Sequence, residues 1–149
     1  MPAFHFRLQN ILNVKKQLEK SAKNELGIAM QKMVKQKQIL AAIQLEKAQQ
    51  EEECRQEGLS GVLLAKLKQR MEYISVLHER DLAQQERVNE EMKNVDKIRE
   101  KLIEIMKERK ILEKLREKEL ALYRKEQEKA GQLLVDELVS FKESNKPVD

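Results

Sequence analysis

The sequence predicts an all-α fold, a long antiparallel two-helix coiled-coil hairpin, and three observations carry that prediction. Charged residues make up 38% of the chain and aromatics only 3%, with no Trp, so few large side chains are available to fill a compact core. Apolar residues recur at steps of three and four over most of the length, the spacing of a thin seam between helices. Gly58-Leu59-Ser60-Gly61 is the one place where two glycines stand close together. That quartet tolerates the positive φ and turn geometry needed to end one helix and start another. The 149 residues then form one coiled-coil domain, with helix 1 over about 4–57, a turn at 58–61 and helix 2 over about 62–142.

Helix 1 opens on Phe4-His5-Phe6-Arg7-Leu8-Gln9 and continues through Ile11 and Leu12. Its expected seam is Leu18, Ala22, Leu26, Ala29, Met33, Leu40 and Ile43, spaced close to a coiled-coil repeat. Past Ile43 the seam turns polar, with Lys47 and Gln50 where apolar residues are expected and Cys54 next. Glu51-Glu52-Glu53 reads as a solvated face. After the turn, Val62-Leu63-Leu64-Ala65 is apolar enough to cap the tip.

Helix 2 is the longer one, because neither Gly nor Pro occurs between Gly61 and Gly131. Met71, Ile74 and Leu77 open its seam, and Asp81 and Gln85 interrupt it. Val88, Met92, Val95, Ile98, Leu102 and Ile105 restore it, and Leu112, Leu115 and Leu122 carry it on. At Gly131 the helix bends or stops, although Leu133, Leu134, Leu138 and Phe141 keep an amphipathic pattern beyond it. Lys146-Pro147-Val148-Asp149 is expected to fray. Helix 2 would overhang helix 1 at the open end.

Charge has a direction along this hairpin. Residues 46–57 and 79–91 each carry five acidic and two basic groups, whereas residues 107–129 carry nine basic and six acidic. The tip is expected to be acidic and the open end basic, a polarity suited to docking. The formal net charge of +4 and the pI near 9.1 suit an acidic protein or a membrane surface without choosing between them. No apolar run reaches the roughly 18 residues of a membrane span, and the opening residues lack the apolar core of a signal peptide. The single Cys54 forms no internal disulfide, and a cytosolic location is the simplest expectation.

Chemistry-bearing constellations are missing. No glycine-rich phosphate loop is present, and neither His5 nor His78 has a partner at metal-ligand spacing, so no metal, cofactor or catalytic residue is expected. Cys54 with His78 is the conceivable nucleophile–base pair across the tip, but a two-helix seam encloses no pocket to desolvate a substrate. No small-molecule substrate is expected. The basic stretch Lys107–Lys118 has acids laced through it and no aromatic platform, which argues against nucleic acid and for a solvated flank or a protein contact. Tyr73 and Leu77 stand four apart just past the turn, and pattern alone allows either seam packing or an exposed anchor for another protein. A generic coiled-coil scaffold or adaptor also fits the seam, and it would form a concentration-dependent parallel dimer.

Three stretches together resemble the flagellar export protein FliJ family. They are the opening Phe4-His5-Phe6-Arg7-Leu8-Gln9-Asn10-Ile11-Leu12, the middle Glu108-Arg109-Lys110-Ile111-Leu112-Glu113-Lys114-Leu115-Arg116-Glu117-Lys118, and the closing Tyr123-Arg124-Lys125-Glu126 with Asp136-Glu137-Leu138. The resemblance covers essentially the whole chain. It implies a non-catalytic cytoplasmic component of the bacterial flagellar type III export apparatus, peripheral to the inner face of the cell membrane at the flagellar base. Implied partners are the hexameric export ATPase, whose ring assembly it promotes, the cytoplasmic region of the membrane export gate, and export chaperones. By that analogy the open end enters the ring, with Phe4, Phe6, Arg7, Arg109, Lys110 and Arg116 as ring contacts. Tyr73 and Leu77 match the family's gate contact, while an aromatic on the facing part of helix 1 is missing. The stalk of a virulence secretion system is the neighbouring alternative, and the opening and the Glu108–Lys118 segment favour the flagellar version.

Overall fold

The computed structural model describes residues 3–145. Two helices, α1 (Gln9–Ser60) and α2 (Leu64–Ser144), account for nearly all of them, and no strand occurs among the described residues. The helices pack against each other as an all-α helical hairpin. Cross-helix pairs run in opposite directions: Gln36 meets Gln84, Gln44 meets Asp81, and Gln50 meets Arg70. The residues group into two compact units, Met1–Glu19 with Glu104–Asp149, and Lys20–Ile103. Each helix contributes to both.

The turn is shorter than the glycine quartet suggests. Gly58, Leu59 and Ser60 remain helical, and Gly61 alone takes a positive φ, +77°. The Val62 amide donates to the Glu57 carbonyl at 3.3 Å, closing a six-to-one bond around a left-handed residue. This is the Schellman way of satisfying the last carbonyls of a helix, and it needs glycine at one position, not two. Helix 1 also begins later than the sequence suggests. Residues 3–8 are not helical, because Phe6 is buried and Phe4 turns towards α2. The Leu8 carbonyl accepts the first intrahelical bond, from Leu12.

In the Lys20–Ile103 unit the seam alternates steps of three and four without a break. On α1 it runs through Ala22, Leu26, Ala29, Met33, Gln36, Leu40, Ile43, Lys47, Gln50, Cys54 and Glu57. On α2 it uses Arg70, Ile74, Leu77, Asp81, Gln84, Val88, Glu91, Val95, Ile98 and Leu102. Three expectations about α2 are corrected here. Met71 is exposed and Arg70 faces α1; Gln85 is exposed and Gln84 is buried; Met92 is exposed and Glu91 is the partly covered residue. A strict 3.5-residue repeat moves the seam by one position wherever an apolar residue stands beside the seam rather than on it.

The polar seam positions are interlocks. Gln84 Nε2 donates to the Gln36 carbonyl at 3.0 Å and to its side-chain oxygen at 2.6 Å. Asp81 accepts from Gln44 and Gln85, and Lys47 lies between its carboxylate at 3.8 Å and His78 Nδ1 at 2.9 Å. Arg70 gathers Gln50, Glu53 and Glu57, meeting both oxygens of Glu57. These polar seam residues therefore meet partners of matching chemistry, which specifies register at the expense of apolar area. His78 thus serves Lys47, and no Cys54–His78 contact is among its described bonds.

In the other unit, Phe6, Leu12 and Ile105 form the buried core. Leu18, expected on the seam, is 43% exposed, while Glu19 is 7% exposed and faces α2. Leu122 is exposed and Tyr123 is turned inward. Beyond Tyr123 only Gln127 and Gly131 are partly covered, and residues 132–145 are exposed throughout. The helix passes Gly131 without interruption. The segment Lys146–Asp149 lies outside the described residues.

Candidate functional site

The unit built from the N-terminal segment and residues 104–145 holds most of the residues singled out for docking. Phe4 lies against Tyr123, with ring centroids 5.6 Å apart and planes tilted by 50°. The Arg116 guanidinium sits over the other side of this cluster, 5.7 Å from the Phe4 centroid, and its Nε donates to Gln9 at 3.2 Å. A planar cation against an aromatic face both covers the ring and holds the non-helical segment onto α2. Phe6 is buried beneath it. These residues clamp the start of the chain.

Arg109 occupies a seam position. Its Nε is 2.5 Å from Glu19 Oε2, and its Nη1 meets both oxygens of Glu113 at 3.0 and 2.9 Å. The hydrogen bond to Glu113, reinforced by the charge of Glu19, raises the guanidinium pKa further above its ordinary value. Lys15 forms an ion pair with Glu108 across the same seam. Of the six residues assigned to ring contact, Phe4, Phe6, Arg109 and Arg116 are engaged inside the unit, whereas Arg7 and Lys110 are exposed.

The pairing has a consequence for the surface of α2. Glu108 is paired across the helices with Lys15 of α1, and Glu113 is paired along α2 with Arg109 one turn back. Lys107, Lys110, Lys114, Lys118 and Lys125 are all exposed. At 100° per residue they fall within an arc of about 80°, opposite the seam marked by Ile105, Arg109, Leu112 and Arg116. Glu128 falls on the edge of that arc, in line with Lys110, and Glu117 lies about 20° outside it. The stretch that reads as evenly laced is therefore partly sorted, with Arg109, Glu113 and Arg116 at the seam and these lysines facing outward. Only the heptad register, counted through Arg109 and Arg116, could have revealed this ridge in advance.

The gate pair separates. Leu77 is 1% exposed and packs in the seam of the Lys20–Ile103 unit. Tyr73 is 37% exposed, and its hydroxyl donates to the Glu46 carboxylate, which raises the phenol pKa above its ordinary value. Val76 is exposed beside it.

No group of three or more His, Cys, Asp or Glu side chains able to hold a metal occurs among the described residues. No described helix is long and apolar enough to cross a membrane. Cavities along the seam are open clefts between charged side chains, such as that lined by Gln50, Glu57, Lys66, Gln69 and Arg70. Nothing here concentrates reactive groups; the surfaces suit contact with another macromolecule. A family model described as Flagellar FliJ protein matches residues 4–147, almost the entire chain. The chain belongs to the FliJ family. It is accordingly a protein associated with flagellar export. No match was found among curated proteins or among solved structures. In this FliJ protein the family's opening segment is the one clamped onto Arg116 and Tyr123.

Proposed function

We propose that this FliJ-family chain is a non-catalytic, cytoplasmic subunit of the flagellar type III export apparatus that docks into the export ATPase ring through its Phe4–Tyr123 unit. The lysine ridge on α2 carries the proposal. Five exposed lysines lie along one side, Lys107 ion-paired with Glu104 and the others extending the basic surface, and they suit an acidic partner surface. The clamp of Phe4, Arg116 and Tyr123 keeps the N-terminal segment packed while that surface is engaged. Gate contact falls to Tyr73 and its exposed neighbour Val76, because Leu77 is committed to the seam. Handling of export chaperones and a peripheral position at the membrane belong to the same reading.

The test mixes this protein with the flagellar export ATPase of its own organism and follows light scattering and hydrolysis rate. Rings should accumulate and hydrolysis should rise. The variant Lys110→Glu/Lys114→Glu/Lys118→Glu should lose at least about tenfold in apparent affinity, with a steep salt dependence in the parent. Unchanged scattering and hydrolysis with the parent protein, well above micromolar concentration, would refute the ring reading.

A further inference from the structure

The turn of the Lys20–Ile103 unit exposes aliphatic surface. Leu59, Leu63 and Leu64 are 86%, 74% and 81% exposed, all within six positions of one another. A single exposed leucine is ordinary, but three on one apex form a patch that calls for a partner.

Part of the polar backbone around the patch is bonded internally. The Val62 amide and the Ser60 hydroxyl both donate to the Glu57 carbonyl, and the Lys66 and Leu67 amides donate to the Leu63 carbonyl. Those internal bonds reduce the number of backbone groups that must leave water, the first amides of α2 aside. Charge follows the same logic. Glu57, the acid nearest the apex, is held by both nitrogens of one edge of Arg70, and that hydrogen bonding lowers its pKa. Glu51, Glu52 and Glu53 lie at least six residues, roughly 9 Å, back along α1 from Leu59. Lys66 and Lys68 are exposed within a turn or so of Leu64.

An aliphatic apex with a collar of lysines matches one surface chemistry best. We propose that Leu59, Leu63 and Leu64 insert at the acyl boundary of an anionic lipid surface while Lys66 and Lys68 meet its phosphates. Protein hot spots centre on Trp, Tyr and Arg; residues 58–65 contain none of these, Arg70 is locked by Glu53 and Glu57, and Arg55 is ion-paired with Glu52. Leucines with flanking lysines are instead the composition of interfacial membrane segments. The inference goes beyond ring docking and does not require it.

The test is co-sedimentation of the full chain with vesicles of phosphatidylcholine containing phosphatidylglycerol, beside vesicles of phosphatidylcholine alone. The chain should pellet with the anionic vesicles. Leu59→Ser/Leu63→Ser/Leu64→Ser should weaken that binding at least about tenfold, with helix content unchanged by circular dichroism. Lys66→Gln/Lys68→Gln should weaken it several-fold. Lys110→Gln/Lys114→Gln/Lys118→Gln, on the other unit, should leave the leucine dependence in place. Absence of binding to anionic vesicles overturns the proposal, even where a protein is found to cover the leucines. So does binding that survives the leucine variant, because it would be adsorption through lysines. No ATPase is present in this assay, so its failure and that of the ring reading are separately visible.

Discussion

Leu77 and Tyr73 show how one helical turn divides two residues that look alike in sequence. Leu77 is enclosed between the helices, whereas Tyr73 lies at the edge and hydrogen-bonds Glu46. Truncating an enclosed leucine removes its transfer energy and leaves a cavity, and truncating an edge tyrosine leaves little behind. Leu77→Ala should cost about 3 kcal/mol in urea-induced unfolding, and Tyr73→Ala less than about 1 kcal/mol. Equal losses would mean that Tyr73 is a packing residue as well. A test of the proposed gate contact should therefore use Tyr73→Ala alone, because a Leu77 variant confounds contact with stability. Among the glycines, Gly61 is the one whose backbone demands the residue. Gly58 and Gly27 are helical, and a Cβ at either would meet open space. Gly58→Ala and Gly27→Ala should each stabilise by about 0.5–1 kcal/mol, while Gly61→Ala should destabilise by about 1 kcal/mol, read as urea midpoints.

At the scale of the helices, the seam of the Lys20–Ile103 unit changes character along its length. Ala22, Ala29, Val88 and Val95 are buried apolar contacts, whereas towards the turn the helices are joined through Asp81, Lys47, Gln50 and the Arg70 cluster. Two carboxylates in that stretch have depressed pKa values: Glu57, through its hydrogen bond to Arg70, and Asp81, mainly through its hydrogen bond to Gln85 with Gln44 and Lys47 adding to it. A depressed folded pKa contributes stability that is fully present above the unfolded values, ordinarily 4.5 and 3.8. That contribution is lost as pH falls through the lower folded values. As pH falls below about 4.5, amide protection factors should drop in residues 44–81 more than in 22–29 and 88–95. In Glu57→Gln/Asp81→Asn this pH dependence should shrink; an unchanged profile would show that other carboxylates control it. The helices themselves were legible from the sequence because propensity and the absence of Gly and Pro from 62–130 act locally. The interlocks were not, because Lys47 and Gln50 read as flaws until Asp81 and Arg70 are brought opposite them.

For the whole molecule, polar and charged seam residues find their partners within the same chain, as Glu19 does with Arg109 and Gln36 with Gln84. A parallel dimer would separate these pairs. Sedimentation at low micromolar concentration should therefore return the 17.6 kDa monomer. A dimer would instead point to pairing of the exposed Leu134, Leu138 and Phe141 face of α2, and Leu138→Ser should then restore the monomer. Family membership was legible in the order of Phe4–Leu12, Glu108–Lys118 and Tyr123–Glu126. The packing of the six residues proposed for docking was not: Phe4, Phe6, Arg109 and Arg116 are engaged within their own unit, and Lys114 and Lys118 join Lys110 on the surface. The sequence by itself determined that two long helices form and where the chain reverses, since helix propensity, a heptad-like spacing and a left-handed glycine act within a few residues. Only the tertiary structure decided which neighbour faces inward, Glu19 rather than Leu18, Gln84 rather than Gln85, and hence which way the lysines point. Adjacent helical residues lie 100° apart, and a one-position choice on either side of the seam is settled by the charge and shape of the residue opposite, which local sequence does not contain.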